Sequence, residues 1–448
     1  MEKLQHISKK TPSGVDVFAL DTGSVINAES EAMLQALHSR STGGIRSHLE
    51  VLKKTGSENF MSKFYVGYGH KSIGDCGSMT LFIEGLSMLG AKAIQDTKLY
   101  NGQEASTRYI DFSKQAILNP LGTPEAEVLQ EKQRSFYLEI LPEIKEHMKT
   151  LFPKEEGQSE KLYESTIAAK AFDVGRGFLP AGCSTNIAWH TNLRQIADRI
   201  SVLRHHPLSE MREIAETLLD VVLEKYPNSF SKKTYEETEN YNESVFEKYY
   251  YHNAESPKME LSHNGLDTKM LKVYKHELKE RPNNKTEFPA FFDSIGTLSF
   301  EYTLDFGSFR DIQRHRAVHQ RMPLLTTEIG FHKWYLKILP ESLKEKAKKH
   351  LEEVEDILKS LEASPEVLQY YIPMGYKMSC HIMGTLPALS YVCELRSTTY
   401  VHPTLRLVAI AMGELIEKET GIPLFLDKNP ELLDLRRGKQ DIKLKEEE

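Results

Sequence analysis

Residues 75–109 read DCGSMTLFIEGLSMLGAKAIQDTKLYNGQEASTRY, and the fold turns on how this stretch pairs with the rest of the chain. Leu81, Gly85, Met88 and the small Ala91 and Ala93 form a stripe that predicts a helix over 78–96. Laid without gaps on DSIGTLSFEYTLDFGSFRDIQRHRAVHQRMPLLTT (293–327), the stretch matches Asp75 to Asp293, Phe82 to Phe300, Leu86 to Leu304 and Gln95 to Gln313. A second echo follows in the same order. LPAGCSTNIAWHTNLRQIADRISVLR (179–204) lies against IPMGYKMSCHIMGTLPALSYVCELR (372–396), each ending Leu-Arg. Order and spacing together point to a tandem duplication.

Outward from these windows, 28–54 and 124–150 are predicted as helices. Pro207 separates two more within 196–226, whose apolar residues Ile196, Ile200, Leu203, Met211, Ile214, Leu218 and Val222 keep helical spacing. From about 228 to 287 the chain turns polar, as in SKKTYEETENYNES and KERPNNKTEF, which marks a boundary or a long connection. The domain reading is a first repeat at 1–227, a connection and start of the second repeat at 228–287, the second repeat at 288–440, and a charged tail at 441–448.

The 448 residues are 40% hydrophobic, enough for more than one core. With 64 acidic and 57 basic side chains the formal charge is −7, which argues against a general nucleic-acid binder; phosphate recognition has to be local. MEKLQHISKK has no apolar leader core, and no run approaches the roughly 20 apolar residues that cross a bilayer, so a cytoplasmic protein with no membrane partner is expected. Cys76, Cys183, Cys380 and Cys393 form no CxxC pair, so no disulfide framework and no metal site is expected. The usual nucleotide-loop and nucleophile-elbow motifs do not occur.

Local chemistry concentrates in two places. In QRHRAVHQRM (313–322), Arg314, His315 and Arg316 follow a helical pattern of Leu298, Tyr302, Phe306 and Phe309. A rigid helix end presenting two guanidiniums and an imidazole suits a phosphate or an anionic ring, through charge-assisted bonds of roughly 1.5–3 kcal/mol each. A surface helix with scattered charge is the competing reading. EASTRY (104–109) offers Glu104, Ser106 and Arg108 at alternating positions, as an extended segment displays on one face; a polar loop competes with it.

YGHKSIGDC, FIEGLS and EASTRY together resemble the flavin-dependent thymidylate synthases, whose pattern runs GHxSxxEH, a helix, RHRxxSxNxxSxRY, Arg-x-x-Leu-Pro, Asn-x-Arg and Leu-Arg. The pieces are divided between the halves. The first keeps Gly69-His70-x-Ser72, Asp75 in place of Glu, Glu104, Ser106-x-Arg108-Tyr109, Arg176 before Leu179-Pro180, Asn192-x-Arg194 and Leu203-Arg204, but has Asp96-Thr97-Lys98 where RHR belongs. The second has the intact Arg314-His315-Arg316, but His319, Arg321, Leu324 and Thr326 replace the later Ser, Asn, Ser and Arg. There Leu395-Arg396 survives, and Thr385 and Pro387 replace the Asn-x-Arg pair.

The resemblance implies an α+β fold in two tandem copies, with helices packed on a mixed or antiparallel sheet. It also implies a homodimer whose fused repeats imitate the family's tetramer. Carried over by position, His70, Ser72, Asp75, Asn192, Arg194, Arg314, His315 and Arg316 would hold FAD, and Glu104, Ser106, Arg108, Arg176 and Arg204 would hold dUMP. Ser106, Arg204 and Arg314 would act in catalysis. The implied reaction converts dUMP to dTMP with methylenetetrahydrofolate as one-carbon donor and NADPH as reductant of the flavin. It needs no protein thiol, in keeping with the scattered cysteines. A flavoenzyme acting on another uracil nucleotide, or a non-catalytic nucleotide-binding paralogue, are the alternatives.

Overall fold

The computed structural model of the chain describes residues 6–20, 26–38, 44–67, 70–107, 112–252, 258–283 and 286–428. Contacts divide the chain into two compact units that do not follow chain order. One comprises Met1–Ala105 with Ser184–Tyr250, the other Ser106–Cys183 with Tyr251–Glu448. The expected boundary at 227/228 is thus not where the units part, because 106–183 packs with the second half.

In chain order the elements of the first unit begin with β1 (His6–Lys10), β2 (Asp16–Leu20), α1 (Ala28–His38), α2 (Gly44–Thr55), α3 (Glu58–Phe60) and α4 (Lys71–Gly74). β3 (Ser78–Ser87), α5 (Met88–Gln95) and β4 (Asn101–Glu104) follow. The second unit then contributes α6 (Pro124–Leu151) and α7 (Glu160–Gly175), and the chain returns to the first with β5 (Ser184–Asn192), α8 (Leu193–Leu203), α9 (Ser209–Lys225) and α10 (Glu236–Tyr249). The rest of the second unit is β6 (Glu260–Asn264), α11 (Thr268–Tyr274), β7 (Thr297–Asp305), α12 (Phe306–Ile312), β8 (His319–Arg321), α13 (Lys333–Ile338), α14 (Glu341–Ser360), α15 (Pro365–Leu368), β9 (Lys377–Thr385), α16 (Leu386–Arg396) and α17 (Pro403–Thr420).

Both units are α+β, and their sheets are antiparallel throughout the described residues, in the orders β1-β2-β3-β5-β4 and β6-β7-β9-β8. The helix expected over 78–96 is corrected: 78–87 is strand, and the helix starts only at Met88. Met79, Leu81 and Ile83 are fully buried and alternate with Thr80 and Phe82, the period of a strand. At Gly85 the register against β5 slips, and its φ of +80° explains the glycine. That bulge breaks the alternation, and the strand runs into α5 with no loop between, Ser87 capping the helix by accepting from the Gly90 amide. A helical stripe read backward from α5 therefore overran the strand.

The same correction holds for Leu298 and Tyr302. They lie on β7 with Phe300 and Leu304, all fully buried, and Asp305 caps α12 by accepting from the Ser308 amide at 3.0 Å. Burying each such side chain is worth about 1.5–3 kcal/mol, an upper figure since the unfolded chain is not fully extended. The helix expected over 28–54 is two helices, and the polar connection at 228–287 contains α10, β6 and α11 rather than linker alone.

Within the second unit two contacts are reciprocal. The Ala181 amide donates to Ile372 O at 2.9 Å and the Met374 amide to Leu179 O at 2.8 Å; Gly182 donates to Tyr370 O at 2.9 Å and Gly375 to Gly177 O at 2.8 Å. Between α6 and α14, the Phe136 and His350 rings stack at 3.8 Å and 6°. Flanking them, Lys132 pairs with Glu353 and Lys346 with Glu139.

Candidate functional site

In the second unit, α12 ends where the buried Gln313 caps it, and Arg314, His315 and Arg316 follow in the turn before β8. Arg314 and Arg316 are exposed and His315 is half-buried. Arg396, the last residue of α16, donates from Nε to His315 Nε2 at 2.7 Å and from an Nη to Asp311 O at 2.8 Å. An imidazole nitrogen that accepts from a guanidinium carries a lone pair, so His315 is neutral with its proton on Nδ1. Burial, with Arg396 second, pushes its pKa down to about 3. One turn back, Arg310 is 3% exposed, and burial together with Arg314 pushes it down to about 9. Sequence reasoning passed over Arg310, whose signal was its position one helical turn before Arg314, and noted Arg396 as part of the surviving Leu-Arg without linking it to His315.

Arg176 lies in the same unit at the end of α7, and it is buried. Its guanidinium donates to Thr107 Oγ1 and Ser308 Oγ, each at 3.2 Å, and stands 3.7 Å from Asp173 and 3.8 Å from Asp311. Around it, the Tyr335 hydroxyl donates to Asp305 Oδ2 at 2.8 Å, and Ser308 Oγ lies 2.8 Å from Thr404 Oγ1 and 3.2 Å from His402 Nδ1. Burial opposes the Arg176 charge, but Asp173, Tyr335, Asp311 and Asp305 outweigh it and raise its pKa. Burial likewise opposes the Asp305 carboxylate, yet His402, His332 and Arg176 hold its pKa below the usual value. Ser106 is half-buried in this unit, and Arg108 lies outside the described residues.

In the first unit, Arg194 donates from Nε to Asp75 Oδ1 at 2.7 Å, and Asn192 caps α8 by accepting from the Gln195 amide at 2.9 Å. His70 precedes α4, in which Ser72 stands. Buried Glu104 accepts from Gln95 Nε2 at 2.7 Å. Arg204 donates to Glu239 Oε1 at 3.5 Å and stands 3.8 Å from Glu216, while His205 Nε2 lies 2.8 Å from Glu239. Glu239 belongs to α10, so the polar connection supplies a carboxylate to an expected substrate residue. A cavity of about 220 Å³ is lined by Thr97, Leu99, Trp189, Arg194, Asp198 and Arg199, among others. Beside it, in place of an arginine, Asp96 Oδ2 accepts from buried Lys92 Nζ at 2.9 Å.

The structure thus brings Asp75 and Arg194 together. It puts the expected FAD residues His70, Ser72, Asp75, Asn192 and Arg194, with Glu104 and Arg204, in the first unit, and Ser106, Arg176 and Arg314–Arg316 in the second. Burial raises the thiol pKa of Cys183 to about 12 and also raises those of Cys393 and Cys76; Cys380 is buried too. These thiols are poor nucleophiles.

Residues 25–228 match the family model described as thymidylate synthase complementing protein. The chain is also similar to UPF0159 proteins. It is 25% identical to one from Chlamydia muridarum over 415 residues, covering 80% of this chain and 78% of the relative. To one from Chlamydia pneumoniae it is 22% identical over 419 residues, covering 79% and 77%. To one from Thermoplasma acidophilum it is 23% identical over 427 residues, covering 80% and 85%. Since these alignments take in more of the chain than the family model does, they extend into its second half.

Proposed function

We propose that the chain is a flavin-dependent thymidylate synthase, starting from the match of residues 25–228 to the family model described as thymidylate synthase complementing protein. In this reading it converts dUMP to dTMP, with methylenetetrahydrofolate as one-carbon donor and NADPH as reductant of bound FAD. The observation that carries it is the α12 end, where two exposed guanidiniums flank a neutral imidazole fixed by Arg396.

These residues fit a flavin nucleotide. Arg314 and Arg316 bring positive charge for phosphates, and His315, with Nε2 occupied by Arg396, keeps Nδ1–H as its donor for a heterocycle acceptor. Asp75 fixes Arg194, so that its guanidinium is oriented in advance of any ligand. When bound, the flavin supplies hydride and carries the one-carbon unit. The protein's own part is to hold and orient the nucleotide, to stabilise negative charge developing on uracil carbonyls through arginines, and to do so without a thiol nucleophile.

A tandem duplication is part of the proposal, and strand registers support it. Laid from their first residues, the two alignments bring Ser87 onto Asp305 and Ser184 onto Lys377, and Ser87–Ser184 and Asp305–Lys377 are both cross-strand partners. They also bring Asn101–His190 onto His319–Met383 and Gln103–Ala188 onto Arg321–His381, partners again. The reciprocal hydrogen bonds of 177–182 with 370–375, and the reciprocal pairs beside Phe136 and His350, are the marks of a two-fold contact between like elements. In this reading one chain encloses what is a dimer contact in an unduplicated relative, and two chains form the working particle.

The test is direct. The purified full-length protein should show flavin absorption or bind added FAD, and should form dTMP from dUMP in the presence of methylenetetrahydrofolate and NADPH. Arg314→Gln should lower kcat/KM by about a hundredfold, or roughly 2.7 kcal/mol. A protein that binds no flavin sinks the proposal. One observation favours a second reading, a nucleotide-binding protein without turnover: Arg204 is already flanked by Glu239 and Glu216, and Arg176 is buried among carboxylates. Flavin binding with no product from dUMP would select it.

A further inference from the structure

We infer that the cavity of the first unit between β5 and α8 binds a compact flat monoanion, a single ring bearing a carboxylate, held through Trp189 and Arg199. The inference goes beyond the flavin reading and does not rest on it; among the described residues, Arg194 is the one lining residue that the two share.

Trp189 stands on β5 and is 1% exposed, and its indole N–H has no hydrogen-bond partner among the described residues. That group can only donate, and when buried it normally finds an acceptor. Arg199 reaches the same cavity from α8. One of its Nη groups donates to Ala93 O, while its Nε, also buried, has no partner. Asp96 acts on Arg199 electrostatically, but it already accepts from Lys92 at 2.9 Å. The acceptors in the lining are engaged elsewhere. Thr97 Oγ1 accepts from the Leu99 amide and Gln195 Oε1 from Thr191 Oγ1, each at 3.4 Å, and Asp198 is exposed, 3.9 Å from Lys71.

The second unit shows that the fold does not itself call for these donors. Counted from the first residues of β5 and β9, Trp189 stands where Ile382 stands; counted from those of α8 and α16, Arg199 stands where Val392 stands. Ile382 and Val392 are buried and apolar, so the second unit fills both places at no polar cost. Water would satisfy the two donors of the first unit but not the guanidinium charge, whereas a carboxylate answers both, with an oxygen for each N–H. Leu99 and Val202 supply apolar wall for a ring. At about 220 Å³ the space is smaller than the ~300–1,000 Å³ that enclose drug-sized ligands, which limits the occupant to a single ring.

Trp189 and Trp334 are the two tryptophans of the chain, so Trp334→Phe makes Trp189 the sole indole reporter. Titrating benzoate into that full-length variant should give a saturable change in tryptophan fluorescence. Benzamide, flat but uncharged, and acetate, charged but ringless, should each bind about tenfold more weakly or worse. Arg199→Gln should lower benzoate affinity by about tenfold or more, and Trp189→Phe, read by calorimetry, by several-fold. No saturable response to benzoate, benzamide binding as tightly as benzoate, or a folded Arg199→Gln that binds benzoate as the parent does overturns the inference. Should Arg199→Gln not fold, Arg199→Lys decides: parental affinity overturns it, and a several-fold loss supports it. Benzoate held at Trp189 by a protein that binds no flavin would leave this inference standing and remove the flavin reading. Flavin bound with no response of Trp189 to benzoate would do the reverse.

Discussion

His315 shows how a motif residue acquires its state from a residue far from it along the chain. With Arg396 donating to Nε2, the ring is held neutral, and its folded pKa of about 3 lies below the ordinary histidine value of about 6.5. The sign follows: stability from this group is present above pH 6.5 and is lost as pH falls from there towards 3. In an imidazole nitrogen NMR titration of the folded protein, His315 should show its proton on Nδ1 and no protonation step between pH 7 and 5. A step near 6.5 would contradict the assignment. The sequence made Arg314, His315 and Arg316 legible because they are contiguous and Arg396 legible as part of a Leu-Arg motif, but it did not show that Arg396, far along the chain, donates to His315 and to Asp311 O. Arg176 was legible as a motif residue, yet its burial between Asp173 and Asp311 depends on packing that no local pattern encodes.

At the scale of elements, the strand–helix junctions carried the errors and also the strongest internal agreement. β3 and β7 each run straight into a helix, so a single apolar run contains a period-two part and a period-3.6 part, and a window spanning both reads as helix. Ser87 and Asp305, each capping its helix, are what divides the periods. The crossing of 177–182 with 370–375 depends on close backbone approach. A Cβ placed on Gly182 would lie 2.5 Å from Tyr370 O, and one on Gly375 would lie 2.9 Å from Gly177 O. Gly182→Ala should therefore destabilise the protein by about 1–3 kcal/mol, seen as a shifted denaturant midpoint with little change in slope. An unchanged midpoint would mean that the crossing relaxes at no cost.

Over the whole molecule, the expectation of consecutive repeats and the observed division into units answer different questions. Sequence similarity follows chain order, whereas compactness follows contacts, and 106–183 is compact with the second half. A fragment ending at residue 228 would leave the apolar face of α6, including Phe136, without α14. Expressed alone, it should aggregate or melt well below the full chain, as size-exclusion chromatography and circular dichroism would report; a fragment as stable as the full chain would contradict the assignment of 106–183. By itself the sequence determined the resemblance of its first half to a known family, with the α+β class that this implies, the split of motifs between halves and the intact Arg-His-Arg, because these are patterns of residue type and spacing along the chain. Only the tertiary structure decided how each charged or titratable group is met, as Lys92 is by Asp96 and His315 is by Arg396. The charge available to a ligand is set by what surrounds a group in space, and burial strengthens every such interaction.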